Sequence, residues 1–364
     1  MSQLRPIAIH LPQFHPIPEN NRWWGTGFTE WTNVTKARPR FPNHYQPHLP
    51  TYLGFYDLRL HESRLAQEQL ARAYGLHGFC YYHYWFSGQR LLAEPVDRKL
   101  DHPREDLPFM LCWANENWTR NWDGQSQLVL LEQRYSPEDD EQHLQHLLRY
   151  FRDPRYITVD GRPVFAVYKT ALFPDIRRTA HRWRQLAQEA GLPGLYLLCV
   201  ESQGQPILPE SIGFDSSVEF QPNFSRLPPA MRRDPWSRIL RRLGLRSAYF
   251  KDRIMDYRIH AQTASNTPLP QYKRFPGITP MWDNSARRSS GATILHNSTP
   301  EAYGSWLKAI VEKFYPYSED ENFLFINAWN EWAEGNHLEP CRKWGLRYLE
   351  TTRDVLHRHA PTTS

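Results

Sequence analysis

Short apolar runs alternate with amphipathic helical segments along almost the whole chain, and this alternation constrains the fold more than any single motif does. Residues 5–11, 78–85, 108–113, 163–168, 195–200, 214–220, 275–282 and 323–328 are rich in branched and aromatic side chains and read as strands. Segments 63–74, 139–151, 176–190, 300–314 and 344–357 carry apolar residues at helical spacing, and Gly75 is a natural stop for the first. Near-continuous apolar strands are covered on both faces, the condition of a parallel sheet with helices packed against it. About eight such units predict an α/β fold, a single (β/α)8 TIM-type barrel with long loops spanning residues 1–364. A doubly wound open sheet is the alternative, with residues 214–220 the least strand-like of the eight. The pattern breaks at about 223–264, a basic helical insert in which Arg232, Arg233, Arg238, Arg241, Arg242 and Arg246 interleave with Trp236, Leu240 and Leu243.

In such a barrel the C-terminal ends of the strands share one mouth. Those ends deliver His10, then Tyr82, His83 and Tyr84, then Trp113, Asn115, Glu116 and Asn117. Later strands add Tyr168, Glu201, Glu219 and the run Trp282, Asp283, Asn284. Acids and amides bind hydroxyl groups and indoles suit the C–H faces of sugar rings, so this collection points to an oligosaccharide or polysaccharide. With 14 Trp and 19 Tyr the chain is well supplied with such platforms, although packing explains many of them. The last strand runs into Trp329-Asn330-Glu331-Trp332-Ala333-Glu334, with two carboxylates at i and i+3. On a helical turn those positions face the same way, about 5–6 Å apart at Cβ. Two carboxyls at that range divide acid and base work on a glycosidic centre. Taken alone, such a pair is more often an acidic helix start.

Other chemistries lack their signatures. His10, His15, His44, His48 and His83 offer imidazoles for a metal, but no ligand spacing supports one, so neither metal nor cofactor is expected. No Gly-x-Ser-x-Gly elbow and no phosphate-cradling glycine loop occurs. A net charge of +5 demands no nucleic-acid partner. The four cysteines are widely spaced and three fall in predicted strands, as small apolar residues do. Without an apolar leader or a run of bilayer length, the chain reads as cytoplasmic; its arginine-rich insert reads first as a lid or outer helix with solvated arginines, the alternative being peripheral contact with the inner membrane's anionic surface.

Several long motifs together carry a family resemblance. His10-Leu-Pro-Gln-Phe-His15, Trp24-Gly-Thr-Gly-Phe-Thr-Glu-Trp31, Tyr81-Tyr-His-Tyr-Trp-Phe86, Trp113-Ala-Asn-Glu-Asn-Trp118, Trp282-Asp-Asn284 and Trp329-Asn-Glu-Trp-Ala-Glu334 resemble the WbsX-type family. That family is described as glycosyltransferases of lipopolysaccharide synthesis and as glycoside hydrolase family 99-like; the likeness to endo-α-1,2-mannosidases is more distant. The resemblance implies a retaining, glycoside hydrolase-like enzyme acting on α-linked, mannan-like or surface-polysaccharide glycans. A glycosyltransferase or transglycosylase of O-antigen synthesis is the alternative, and a binding protein without catalysis the third. It further implies that Glu331 removes the proton from the substrate's 2-hydroxyl, whose oxygen closes a 1,2-anhydro sugar, while Glu334 protonates the leaving oxygen. Trp24, Glu30, Trp31, Trp329, Asn330 and Trp332 join the expected substrate contacts through these motifs. On this reading Glu334 has its pKa raised under apolar cover from Trp329 and Trp332, and Glu331 stays ionised.

Overall fold

The computed structural model describes residues 4–120, 125–202, 206–231, 239 and 248–358. Eight parallel strands form the barrel: β1 (Arg5–His10), β2 (Gly78–Phe86), β3 (Phe109–Trp113), β4 (Arg162–Val167), β5 (Tyr196–Glu201), β6 (Ser216–Glu219), β7 (274–278) and β8 (Phe323–Ile326). The outer helices are α1 (His61–Ala73), α2 (Glu94–Leu100), α3 (Pro137–Phe151), α4 (Ile176–Glu189), α5 (Tyr257–Asn266), α6 (Pro300–Lys313) and α7 (Arg347–Arg358). After β5 the helix is reduced to a 3-10 turn, Pro209–Ile212.

Closure occurs at β7. Its first half pairs with β6 through Ser217↔Arg274 and Val218↔Phe275. Past Pro276, its second half pairs with β8 through Gly277↔Phe325 and Ile278↔Ile326. The proline supplies no N–H, so the ladder changes neighbour where a donor is missing anyway. Gly277 is required there, because a Cβ would lie 1.8 Å from the Glu219 carbonyl oxygen.

Strand seven was expected to reach Trp282, but the barrel strand stops at Ile278. Trp282–Asp283 instead pairs antiparallel with Thr293–His296, which pairs in parallel with Arg253–Asp256. This small sheet forms a wall beside the mouth. Within the expected insert, α5 packs against α6 as part of the outer ring. The arginine-rich stretch Arg232 to Arg246 lies outside the described residues apart from Ile239.

Register sets which side chains face inward. Neighbouring side chains on a strand point to opposite faces, and paired residues share a face. On β2, Tyr82 and Tyr84 line the central cavity, so Tyr81, His83 and Trp85 point outward to the helices. The Trp85 indole N–H donates to Asp139 on α3 at 2.8 Å, and the His83 ring lies 2.9 Å from His143 on the same helix. Fully buried Trp113, Trp183 and Trp306 fill the outer side. Truncating a side chain of that size costs about 3–5 kcal/mol. All four cysteines are buried, free thiols.

Candidate active site

The chain beyond β8 makes a short hairpin. Asn330–Glu331 pairs with Asn336–His337, and the 3-10 turn Trp332–Glu334 lies between them. The turn ends at Gly335, with φ +54°, where a Cβ would meet Asp283 Cβ and O at 2.9 Å each. The missing side chain lets the carboxylate turn press against the Trp282–Asp283 strand. Asn330 ties the same turn to the end of β1: its Oδ1 accepts from the Leu11 N–H at 2.7 Å and its Nδ2 donates to the Leu11 carbonyl at 3.0 Å. Both carboxylates thereby reach an open cavity of about 530 Å³ at the C-terminal mouth.

One guanidinium organises this wall. Arg287 donates from Nη1 to Glu334 at 2.5 Å, and from Nη2 to Glu331 at 2.8 Å and Glu30 at 2.7 Å. The Arg287 side chain is 16% exposed, Glu30 0%, Glu331 7% and Glu334 21%, so three carboxylates share one largely buried cation. Glu30 also accepts from the Ala333 N–H at 3.1 Å, clamping the turn between its acids. Burial pushes the Glu331 carboxyl up to about 8; Arg287 opposes the rise, while Glu334 and Glu30 add to it. Burial likewise raises Glu30. The expectation for the pair is thus corrected: the enclosed, raised carboxyl is Glu331, and Glu334 is the more exposed.

Of the expected contacts, Tyr82, Tyr84, Glu116, Asn117, Tyr168, Trp282 and Asn284 line the cavity with Glu331 and Glu334. Glu116 lies 3.8 Å from Lys169. Asn117 Oδ1 accepts from the Gln133 N–H, and Asn284 Oδ1 from the Thr293 N–H.

The remainder lie elsewhere, and strand parity explains most of them. His10 faces α1, its ring 3.1 Å from Gln67, and burial lowers its pKa to about 3. His83 and Trp113 pack under α3, and Glu219 lies on the outer face 3.6 Å from Arg274. Asn115 is a clip, donating to the Lys169 carbonyl at 2.9 Å and accepting from its N–H at 2.8 Å. Trp329 is fully buried against Phe79. Trp332 stacks on His337 at 3.8 Å and donates to Glu339 at 2.6 Å, so neither indole is a sugar platform. Trp31 packs on Trp332 and donates to the Tyr56 carbonyl, Trp24 stacks on Phe28, and Glu30 acts through Arg287. Asp283 accepts from Gln46 at 2.7 Å, lies 2.7 Å from the His44 ring, and faces a separate cavity of about 290 Å³.

Arg287 was missed, as were Arg253, Arg288 and Phe224 on the cavity lining. Only its place shortly after Trp282-Asp-Asn284 hinted at Arg287. The histidines weighed as a metal set are dispersed, with His44 at Asp283, His48 at His337 and His83 at His143. His61, His102 and Glu105 bring ligand atoms within 4.8 Å of one another, but Arg64 already holds both Glu105 oxygens at 2.7 and 2.9 Å. Among the described residues no helix is long and apolar enough to cross a membrane.

Comparison with known proteins agrees with the barrel fold. The profile of the family described as "Glycosyltransferase WbsX" matches residues 6–352. The uncharacterized protein WxcX of Xanthomonas campestris pv. campestris is 42% identical over 353 residues, covering 97% of this chain and 49% of its own length. The chain therefore spans about half the length of the curated relatives it matches. Among solved structures, a "Glycoside hydrolase-like protein" superposes with a TM-score of 0.60 at 12% identity, covering 98% of this chain and 94% of that one. The GH99 endo-alpha-mannosidase from Bacteroides thetaiotaomicron gives 0.57 at 14%, covering 98% and 97%. At these identities the two structures speak for the barrel alone.

Proposed function

The chain belongs to the WbsX glycosyltransferase family, and from that premise we propose that it is a carbohydrate-active enzyme that opens α-linked glycosidic bonds at the barrel mouth. The observation that carries this reading is the Glu331–Arg287–Glu334 assembly on the wall of an open cavity faced by Tyr82, Tyr84, Trp118, Tyr168 and Trp282. Two carboxyls held on one side by a single cation are arranged to move protons between a sugar hydroxyl and a leaving oxygen. The aromatic lining supplies apolar faces for sugar rings.

Glu331 acts as the base. A carboxylate whose conjugate acid has a pKa near 8 takes a hydroxyl proton better than an ordinary one, and is still partly ionised at neutral pH. The 2-hydroxyl oxygen, as its proton leaves, bonds to the anomeric carbon while the glycosidic C–O bond breaks. Glu334, nearer solvent, gives its proton to the departing oxygen and recovers one from the incoming acceptor. The acceptor oxygen then bonds to the anomeric carbon as the C1–O2 bond of the 1,2-anhydro sugar breaks, O2 takes its proton back from Glu331, and the configuration is retained. Water as acceptor makes the reaction hydrolysis; a sugar hydroxyl makes it transfer, the reading favoured by the family's description.

A substrate lacking its 2-hydroxyl separates this scheme from one with a carboxylate nucleophile. The 2-deoxy analogue of any glycoside the enzyme turns over is expected to be inert, and Glu331→Gln is expected to be inactive even on activated aryl glycosides. Turnover of the 2-deoxy compound at the normal rate would remove the base role from Glu331.

A further inference from the structure

The cavity lining carries charges of both signs. Arg287 holds Glu331 and Glu334, and Lys169 lies beside Glu116. The wall built by the small sheet presents Arg253 and Arg288. Among the described residues, no carboxylate lies within ion-pair distance of either guanidinium.

This wall is built rather than incidental. Arg40 donates from Nη1 to both oxygens of Asp252 at 2.9 Å, and the Asp252 side chain is 1% exposed. Asp252 accepts from the Ala292 N–H at 2.9 Å, and Arg40 Nη2 donates to the carbonyls of Ser285 and Arg288. The Gly291 N–H donates to the Lys251 carbonyl, and Arg253 pairs with Thr293 in the strand register. The loop carrying Arg287 and Arg288 is thus pinned at both ends to the segment that carries Arg253. A neutral glycan does not call for two exposed guanidiniums on a cavity wall, neither paired with a carboxylate among the described residues, whereas a planar fork of donors matches phosphate and carboxylate oxygens.

We infer that the substrate bears an oxyanion, a phosphate or a uronate carboxylate, which Arg253 and Arg288 grip while the sugar ring faces Glu331 and Glu334. This rests on the reading of the mouth as a glycan site, although the anion site stands on its own geometry.

The test is calorimetric binding to the whole chain. The probes are neutral α-1,2-mannobiose, its 6-phosphate, an α-linked oligogalacturonate and inorganic diphosphate, each at low and high salt. Wild type is expected to bind an anionic probe at least tenfold more tightly than mannobiose, with the advantage shrinking as salt rises. Arg253→Gln/Arg288→Gln should lose that advantage and keep its mannobiose affinity and circular dichroism. Preference for the phosphorylated sugar identifies a phosphate, and preference for the oligouronate identifies a carboxylate. Arginine-dependent binding of diphosphate with no glycan bound would uphold the anion site and sink the carbohydrate reading. Equal affinity for neutral and anionic probes, an advantage retained by the double variant, or no binding of any anion would overturn the inference.

Discussion

At pH 7 a carboxyl with a pKa near 8 is mostly protonated, and burial holds Glu331 in that condition. As a base it must be ionised, so kcat/KM is expected to rise with pH to a midpoint near 8. The neighbours push that limb in opposite directions. Arg287 favours the ionised form, so Arg287→Met should move the limb to higher pH; Glu30 disfavours it, so Glu30→Gln should move it lower. Equal shifts in both variants, read from pH–rate profiles, would show that the limb belongs to another group. Stability carries a second signature. Between its ordinary 4.5 and about 8, the unfolded chain releases a proton that the folded protein keeps, so this group's contribution falls as pH rises through that window. Glu331→Gln removes the effect. The Tm of the variant relative to wild type should therefore climb from about pH 4.5 and level off above about pH 8.

At the scale of elements, the site depends on how short segments are tied together. The loop bearing Arg287 and Arg288 is held by Arg40 against a buried Asp252. Arg40→Met would strand that carboxylate in the interior, at a cost of about 3–5 kcal/mol. A fall of that size in urea-unfolding free energy is expected, with Asp252→Asn in the same background recovering part of it. A change under about 1 kcal/mol would mean that the pair does not pin the loop. Strand parity works at this scale too. His10, His83 and Trp113 stand at the ends of barrel strands, as sequence reading placed them, yet face the helices because they sit one residue out of phase with Tyr82 and Tyr84. The motif-rich look of those strands therefore reflects two faces at once, one lining the mouth and one packed under helices.

For the molecule as a whole, closure rests on the neighbour change at β7. Gly277→Ala would drive a methyl group into the Glu219 carbonyl, so the variant is expected to lose cooperative thermal unfolding and accumulate as insoluble protein. Wild-type-like melting would show that the barrel tolerates an opened seam. The chemistry proposed needs only protons and a sugar hydroxyl, and activity is expected to survive exhaustive chelation. Loss of turnover that one divalent ion restores would instead direct attention to His61, His102 and Glu105.

The alternation of apolar strands and amphipathic helices was enough to read the eightfold barrel, because burial on both faces of a strand leaves few other architectures. The carboxylate pair was equally legible, since Glu331 and Glu334 are close in sequence and any tight turn between them keeps them together. What sequence could not supply was long-range or periodic. Arg287 meets Glu30 across 257 residues and Glu331 across 44, and no local pattern records such a meeting. Nor do local patterns tell whether an aromatic at a strand end looks into the mouth or away from it, because one residue of register exchanges the faces. For the same reason Trp329 and Trp332, read as sugar platforms beside the acids, became core: the short hairpin after β8 turns them beneath the mouth, and of the two paired carboxyls the more enclosed is Glu331 rather than Glu334.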